Sequence, residues 1–224
     1  MFTLNPLPPG LDRSLFDTLV RAEPATIGHF RNWGFMDPMI RAMQPDVRIA
    51  GPAVTVRAPG RDGTIVGYAL GRVRPGDVLV IDRCGDHRHA AFGGLVAYAC
   101  KVAGLAGVII DGVATDIGEV RKYKVPLWCR GLSAVTTKRI GLAGEFCVSV
   151  SCGGVNVNPG DVIIADECGV VVLDRAEAQA AAERAISMQD AEAASRARLD
   201  AGEKLPDISG ATKTLQEALA KQKT

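Results

Sequence analysis

Three features that would assign a protein to a special class are missing from this sequence of 224 residues. It has no CxxC pair among its six cysteines, no apolar stretch near the N-terminus, and no apolar run approaching the ~20 residues of a membrane-spanning helix. Cysteines spaced in this way argue against a disulfide framework and indicate free, largely buried thiols in a reducing compartment. We therefore expect a cytoplasmic protein that does not interact with a membrane.

The sequence also lacks an excess of charge of either sign. Its 26 basic and 25 acidic side chains leave a formal net charge of +1. This balance argues against an extended basic surface for nucleic acid. Hydrophobic residues make up 47% of the chain, which is ordinary for a globular protein with a core of its own. We therefore expect a globular fold and no nucleic-acid partner.

What the sequence does contain is an alternation of short apolar runs and helical segments. Strands are predicted at 78–82, 107–112, 125–129, 147–152, 162–166 and 169–173. Helices are predicted at 93–103, with Gly104 as its stop, at 116–122 and at 176–200. The run 46–57 is also strand-like, but Pro52 cannot donate a ladder hydrogen bond, so we expect an edge strand or a bend there. The alternation predicts an α/β fold with some parallel strand pairing.

Polar side chains cluster after two of the predicted strands. The loop 82–89 holds two carboxylates, two arginines and two histidines, and the turn 111–116 holds two carboxylates and Thr115. Functional side chains in α/β folds gather at the C-terminal ends of strands, so we expect these two segments to form a pocket. Gly93 and Gly94 open the next helix, whose free N–H groups suit an anion.

Each of these signals has a structural alternative. Asp116 is either a ligand for a hard divalent metal such as Mg²⁺ or the N-cap of a helix. Gly93 and Gly94 either cradle an anion or allow a helix to pack closely against a strand. Arg83 and Arg88 are either anion-binding groups or ordinary surface side chains in ion pairs.

Ordered motifs from about residue 20 to residue 205 resemble the family that contains the class II pyruvate aldolases and the RNase E regulator RraA. The aldolases of that family act on 4-hydroxy-4-methyl-2-oxoglutarate and 4-carboxy-4-hydroxy-2-oxoadipate. The matching segments are Pro24-Ala25-Thr26, Met36-Asp37-Pro38, Ile49-Ala50-Gly51-Pro52, Pro75-Gly76-Asp77, Gly107-Val108-Ile109-Ile110-Asp111-Gly112, Pro159-Gly160-Asp161 and Gly169-Val170-Val171-Val172.

The resemblance implies a layered β/β/α domain with mixed sheets and a long C-terminal helix. On this basis residues 1–20 are an N-terminal arm and the start of the first helix, residues 20–205 are an RraA-like, catalytic-type domain, and residues 206–224 are a C-terminal tail. The resemblance also implies a homotrimer or homohexamer with active sites between subunits.

The resemblance further implies a site in which Mg²⁺ or Mn²⁺ binds pyruvate beside a motif that ends in Arg-Asp. Asp116 matches the metal-binding Asp, whereas Thr115 stands in place of the substrate-gripping Arg and Gly94 in place of an acidic residue. Loss of such a transition-state contact costs on the order of 3 kcal/mol. Glu192 matches an acidic position that a neighbouring subunit contributes.

The family's asparagine falls on Gly63, next to Asp62, so Asp62 is a further candidate for contact with the substrate.

Three functional hypotheses follow. The first is a divalent-metal-dependent carbon–carbon lyase that performs retro-aldol cleavage or oxaloacetate-type decarboxylation of a small oxo- or hydroxy-carboxylate through a metal-stabilised enolate. In it Asp116 holds the cation, the N–H groups of Gly93, Gly94 and Leu95 receive the carboxylate, and Arg83 or Arg88 supplies the missing positive charge. The second is a non-catalytic RraA-like regulator of ribonuclease activity that binds a protein partner. The third is a lyase of changed specificity in which the Thr115 hydroxyl contacts the substrate.

Overall fold

The computed structural model describes residues 1–222. Residues 223 and 224, at the end of the predicted tail, lie outside the described residues. The strands are β1 (Phe2–Leu4), β2 (Arg41–Ala42), β3 (Ile49–Arg57), β4 (Val78–Asp82), β5 (Gly107–Ala114), β6 (Leu127–Leu132), β7 (Gly144–Phe146), β8 (Val150–Cys152), β9 (Val155–Val157), β10 (Val162–Asp166) and β11 (Gly169–Leu173). The helices are α1 (Arg13–Leu19), α2 (Pro24–Gly28), α3 (Thr64–Leu70), α4 (Gly94–Ala103), α5 (Ile117–Tyr123), α6 (Arg175–Asp200), α7 (Leu205–Ile208) and α8 (Ala211–Lys221).

The main sheet has the strand order β1-β7-β3-β4-β5-β6-β2. Its central strands β3, β4, β5 and β6 run parallel to one another, whereas β2 and β7 pair antiparallel with their neighbours β6 and β3. β10 and β11 form an antiparallel pair, and β10 also pairs with the beginning of β3. β8 and β9 form a separate hairpin. The sheet is thus mixed, as the sequence predicts.

Pro52 lies at the point where β3 changes its partner. Ile49 to Pro52 pair with β10, and Ala53 to Arg57 pair with β4. β3 is flanked by strands and does not lie at an edge, so the edge-strand alternative is wrong. The missing donor of Pro52 falls instead at the transition between two pairings, where its cost is smallest.

Alternate side chains along the strands separate the layers. On β4, Leu79 and Ile81 pack under α3, α4 and α5, whereas Val78 and Val80 face the β10–β11 pair. On β10, Ile163 faces the main sheet, and Ile164 packs against α1, α2 and α6. The period of two therefore builds the predicted β/β/α arrangement, to which α1, α2 and α6 add a further helical layer.

Only the first half of α6 is attached to this core. Its buried side chains are Ala178, Ala181, Ala182 and Ala185, and its remaining residues up to Asp200 are exposed or half-buried. No residue of α7 or α8 is buried in the described part of the chain. None of the helices among the described residues has both the length and the apolar character needed to cross a bilayer.

The structure confirms the α/β class, the mixed sheet and the long C-terminal helix. Helix α4 ends at Gly104, whose positive φ of 69° provides the left-handed stop that the sequence predicts. The sequence reading missed α3 and β7. It placed a strand over 147–152, of which only Val150–Cys152 is a strand. The proposed divisions at residues 20 and 205 stay predictions.

Candidate active site

The loops that follow the four parallel strands lie at one edge of the main sheet. Strand pairing brings the ends of β3, β4, β5 and β6 into register, and isolated bridges tie Asp62 to Lys138 and Ala90 to Thr136. This edge is where α/β folds place their ligands. The segments 82–89 and 111–116 therefore meet here, as the sequence predicts.

Asp116 lies at this edge, between the end of β5 and the start of α5. It has left-handed backbone angles, with φ 51° and ψ 40°, and its side chain does not cap α5, which it precedes. Instead its Oδ2 accepts a hydrogen bond from the Gly94 amide at 2.9 Å, and the Thr115 amide donates to the Phe92 carbonyl at 2.9 Å. Asp116 is exposed. It thus presents a carboxylate to solvent beside the N-terminus of α4, rather than serving its own helix.

The two glycines at the start of α4 leave room for acidic side chains. A Cβ atom on Gly93 would lie 2.7 Å from Oδ2 of Asp116 and 2.9 Å from Cγ2 of Thr115. A Cβ atom on Gly94 would lie 1.6 Å from Oε2 of Glu119. Glycine at both positions therefore allows close packing, with the carboxylate of Asp116 against Gly93 and that of Glu119 against Gly94. Sequence reasoning missed Glu119, whose only signal is its position three residues after Asp116 on α5.

Leu95 is the next residue of α4, and it is 83% exposed. The first N–H groups of a helix have no acceptor within the helix. That of Gly94 already donates to Asp116, so the Leu95 amide is the first position at which a bound anion can replace solvent.

Arg83 is placed differently from what the sequence predicts. The side chain is fully buried. Its guanidinium donates to the backbone carbonyls of Ala58, Gly60 and His89 and lies 3.5 Å from Asp86. Burial lowers the pKa of Arg83, and the nearby acids oppose this shift. The expectation that Arg83 grips the substrate is therefore corrected: its donors tie the segment after β3 to the loop after β4 from inside.

Arg88, in contrast, is exposed, and its guanidinium forms no ion pair within residues 1–222. The loop that carries it is held by Asp86, whose Oδ1 accepts from the amides of Arg88 at 2.8 Å and His89 at 3.0 Å. Burial raises the pKa of Asp86, but hydrogen bonds from these amides and from the His89 ring outweigh it and lower the value to about 2. Of the two arginines of this loop, Arg88 is the one available to a ligand.

Asp62 is likewise a structural residue. It is 1% exposed, and its carboxylate accepts hydrogen bonds from Thr64, Ile140 and Leu142. Burial raises the pKa of Asp62, but these hydrogen bonds dominate and depress it well below its usual value. The expected contact between Asp62 and substrate is corrected, because the carboxylate is enclosed and its acceptor sites are occupied.

The hydrogen bonds of Asp111 go to residues other than Asp116. It accepts from Nε of Arg130 and from the Gly153 amide at 2.7 Å, and Arg130 also pairs with Asp37 at 2.8 Å. These hydrogen bonds raise the pKa of Arg130. Asp111 therefore fastens β5 to β6 and to the β8–β9 turn.

Glu192 is exposed on the second half of α6 and pairs with Arg196 at 3.0 Å. No hydrogen bond or ion pair connects it to Asp116 or Thr115 within residues 1–222, so in this chain it lies apart from the site.

The donor set near Asp116 suits a hard cation. No group of three or more His, Cys, Asp or Glu side chains in the described part of the chain is arranged to hold a metal. However, Mg²⁺ commonly takes one or two protein carboxylates and keeps several waters. Asp116 and Glu119, both exposed beside the first turn of α4, meet that requirement.

A carboxylate at the C-terminal ends of parallel strands, beside a helix N-terminus, stands where α/β domains place their small ligands. The chain belongs to the RraA-like family: the family model described as Aldolase/RraA matches residues 18–172. This confirms the resemblance stated from the sequence.

Individual relatives agree with this assignment. A protein of Halalkalibacterium halodurans, provisionally named as a 4-hydroxy-4-methyl-2-oxoglutarate aldolase, is 36% identical over 162 residues, which cover 72% of this chain and 77% of that protein. The crystal structure of Streptomyces coelicolor RraAS2, an unusual member of the RNase ES inhibitor RraA family, is similar with a TM-score of 0.75, 30% identity, and coverage of 84% of this chain and 98% of that one. The RNA-processing inhibitor RraA of Thermus thermophilus aligns with a TM-score of 0.58 at 29% identity, over 62% of this chain and 84% of that one.

Proposed function

We propose that the protein is a divalent-metal-dependent carbon–carbon lyase that cleaves or decarboxylates a small oxo- or hydroxy-carboxylate. The observation that carries the proposal is the Asp116 carboxylate, exposed at the strand ends and fixed by the Gly94 amide. Membership of the aldolase/RraA family and the aldolase-named relative support the same reaction class.

The residues of the site have distinct tasks in this proposal. Asp116 holds Mg²⁺ or Mn²⁺, directly or through water, and the cation supplies a Lewis acid that withdraws electrons from the oxo group when bound. The N-terminal turn of α4 at Leu95 receives the substrate carboxylate. Arg88 adds positive charge from the neighbouring loop, and the Thr115 hydroxyl donates a hydrogen bond to the substrate. These contacts do not include the planar fork of donors that an arginine at 115 would offer.

The test combines cation binding with turnover. Calorimetric titration with Mg²⁺ and Mn²⁺, and decarboxylation of oxaloacetate, are measured for wild type and for Asp116→Asn. We expect Asp116→Asn to lose turnover by about 100-fold or more and to lose most of its cation affinity. Asp12→Asn, the same chemical change at an exposed position just before α1, is the matched control. Equal cation affinity in wild type and Asp116→Asn would contradict the proposal.

We further propose that the chain assembles as a homotrimer or homohexamer with sites between subunits, where Glu192 of a neighbour approaches Asp116. The support is that Glu192 and the second half of α6 are exposed in the single chain. Light scattering coupled to size-exclusion chromatography gives the subunit number. A monomer with full lyase activity would contradict this assembly.

A second candidate function is a non-catalytic regulator that binds a ribonuclease. Thr115 and Gly94 favour it, because neither can supply the charged group that the family motif has at its position. The similarity to RraA proteins supports it as well. Inhibition of a ribonuclease that persists in Asp116→Asn, with no cation binding by wild type, is the outcome that distinguishes this function from the lyase.

A further inference from the structure

The carboxylate of Glu119 occupies the space in which the side chain of residue 94 would stand. An ideal Cβ at Gly94 would lie 1.6 Å from Oε2, 2.7 Å from Cδ and 3.2 Å from Cβ of Glu119. The overlap therefore extends along the Glu119 side chain and is greatest at the carboxylate. Gly94 is absent from the glycines with positive φ, so its backbone would accept any L-residue. Glycine is required at position 94 because of Glu119, not because of the backbone.

Glu119 and Asp116 approach the same turn of α4 from one side. Asp116 directly precedes α5, and the Glu119 amide donates to its carbonyl at 2.9 Å, which fixes the first turn of that helix. A Cβ atom on Gly93 would lie 2.7 Å from Oδ2 of Asp116, and one on Gly94 would lie 1.6 Å from Oε2 of Glu119. Asp116 accepts the Gly94 amide, and Glu119 covers the Gly94 Cα. Both side chains are exposed, and neither forms an ion pair among the described residues.

A second carboxylate in this position has a definite use if Asp116 holds a cation. Mg²⁺ keeps several of its waters when one protein carboxylate binds it. A neighbouring carboxylate that accepts hydrogen bonds from those waters orients them. Removal of such a partner typically lowers metal affinity by roughly 10- to 100-fold.

We infer that Glu119 is a positioning residue of the Asp116 site, which reaches from α5 into the space left by Gly94 and orients the waters of the bound cation. This inference rests on the proposed lyase function, in which Asp116 holds the cation. Two observations support this role of Glu119: its carboxylate occupies the space beside Gly94, and Asp116 contacts the same first turn of α4.

The test uses four variants of positions 94 and 119, of which Glu119→Ala alone is the reference for a double variant, and two readouts that do not depend on turnover. Glu119→Gln keeps the shape and removes the charge. Gly94→Ala keeps the charge but forces the end of the flexible Glu119 side chain out of its place. Gly94→Asp combined with Glu119→Ala moves the carboxylate from α5 to α4. Mg²⁺ and Mn²⁺ affinity is measured by calorimetry and by Mn²⁺ electron paramagnetic resonance, with thermal unfolding as a control for stability.

We expect Glu119→Gln and Gly94→Ala each to weaken cation affinity by at least about tenfold with little change in thermal stability. The relocated double variant should recover most of the affinity that Glu119→Ala alone loses. A merely structural role for Glu119, as an acidic residue in the first turn of α5, predicts the reverse: lower stability and unchanged affinity.

The outcomes separate this inference from the function on which it rests. If Glu119→Gln and Gly94→Ala bind the cation as wild type does while Asp116→Asn does not, the inference is wrong and the proposed function stands. If Asp116→Asn also binds normally, the proposed function is wrong. Should the double variant fail to fold, Glu119→Gln and Gly94→Ala still decide the question, and Glu217→Gln, on the exposed face of α8, is the control for loss of a carboxylate.

Discussion

Each of the two glycines that open α4 faces an acidic side chain. Gly93 faces Asp116, and Gly94 faces Glu119. The family motif implies an acidic residue at position 94, where this chain has glycine. The structure nevertheless has a carboxylate near that position, and it comes from Glu119 on α5. Asp116 could be predicted because it ends a motif beside a strand. Glu119 could not, because its significance depends on how α4 and α5 pack.

At position 115 this chain departs from the Arg-Asp motif that the family resemblance implies. Thr115 offers one hydroxyl, so positive charge for a substrate carboxylate has to come from another loop. Arg88 is the exposed arginine of the loop after β4, whereas Arg83 is enclosed. The sequence could not separate these two arginines, because burial is set by the loops that fold over Arg83.

The first prediction concerns Arg88. Arg88→Ala should raise KM for oxaloacetate by about tenfold or more with a smaller change in kcat, because a charged contact to substrate binds ground state and transition state alike. Steady-state kinetics measure this, with Arg13→Ala on α1 as the matched control, since Arg13 is exposed and pairs with Asp17. An unchanged KM in Arg88→Ala would show that the charge comes from elsewhere.

At the scale of elements, the buried guanidinium of Arg83 holds the loop after β4 in place from inside the protein. Arg83 bridges carbonyls of the segment after β3 and of its own loop, with Ala58 and His89 at the two ends. Removal of the guanidinium would leave these buried acceptors without donors.

The second prediction is that Arg83→Met lowers the free energy of unfolding by about 3 kcal/mol, because buried polar partners lose their donors. Urea denaturation measures it. Arg88→Met, an identical change at an exposed position five residues later, should alter stability by less than about 0.5 kcal/mol. Equal effects at both positions would contradict the structural role given to Arg83.

The long C-terminal helix has two halves with different roles. Alanines from Ala178 to Ala185 cover β10 and β11, and beyond them no residue of α6, α7 or α8 is buried within residues 1–222. The third prediction is that deletion of residues 204–224 changes the free energy of unfolding by less than about 0.5 kcal/mol. Urea denaturation at several protein concentrations measures it, and Ala182→Glu, in the covered half, should be strongly destabilising. A large loss on deletion would mean that the tail packs against a neighbouring copy.

Elements with a strong local signal were predictable, and very short ones were not. The continuous apolar runs of β4 and β10 and the alanine-rich composition of α6 are local signals, so they appear in the sequence. β7 has three residues, and its Gly144 is required by Ile65 of α3, which lies far away in the chain. Such an element is defined by its partner, and a single sequence does not contain that information.

At the scale of the whole molecule, two carboxylates that hold loops by accepting hydrogen bonds from backbone amides, Asp62 and Asp86, make stability depend on pH. Each of these hydrogen-bonded carboxylates is called a clamp. The pKa values of Asp62 and Asp86 are depressed in the folded state, to about 2 for Asp86, because hydrogen bonds to their carboxylates outweigh burial. A depressed carboxyl pKa stabilises the fold above the unfolded value of 3.8, and this contribution is lost as the pH falls toward the folded value. Burial raises the pKa of Asp161 and Asp166, which gives a contribution of opposite sign.

The fourth prediction is a fall in the free energy of unfolding between about pH 4 and pH 2. Asp86→Asn should be less stable than wild type at pH 6 and should show a shallower fall over the acid range. Urea denaturation across this range measures both. A parallel pH profile for Asp86→Asn would mean that the Asp86 clamp does not contribute to acid sensitivity.

β3 belongs to both sheet pairings, with the change of partner at Pro52. Separation of the β10–β11 pair from the molecule would therefore also break the backbone pairing of the strand that starts the parallel set. The two layers cannot open one after the other, so the domain should behave as one cooperative folding unit. Amide hydrogen exchange of Val54 and Ile164, on opposite sides of that junction, should then proceed through the same global opening.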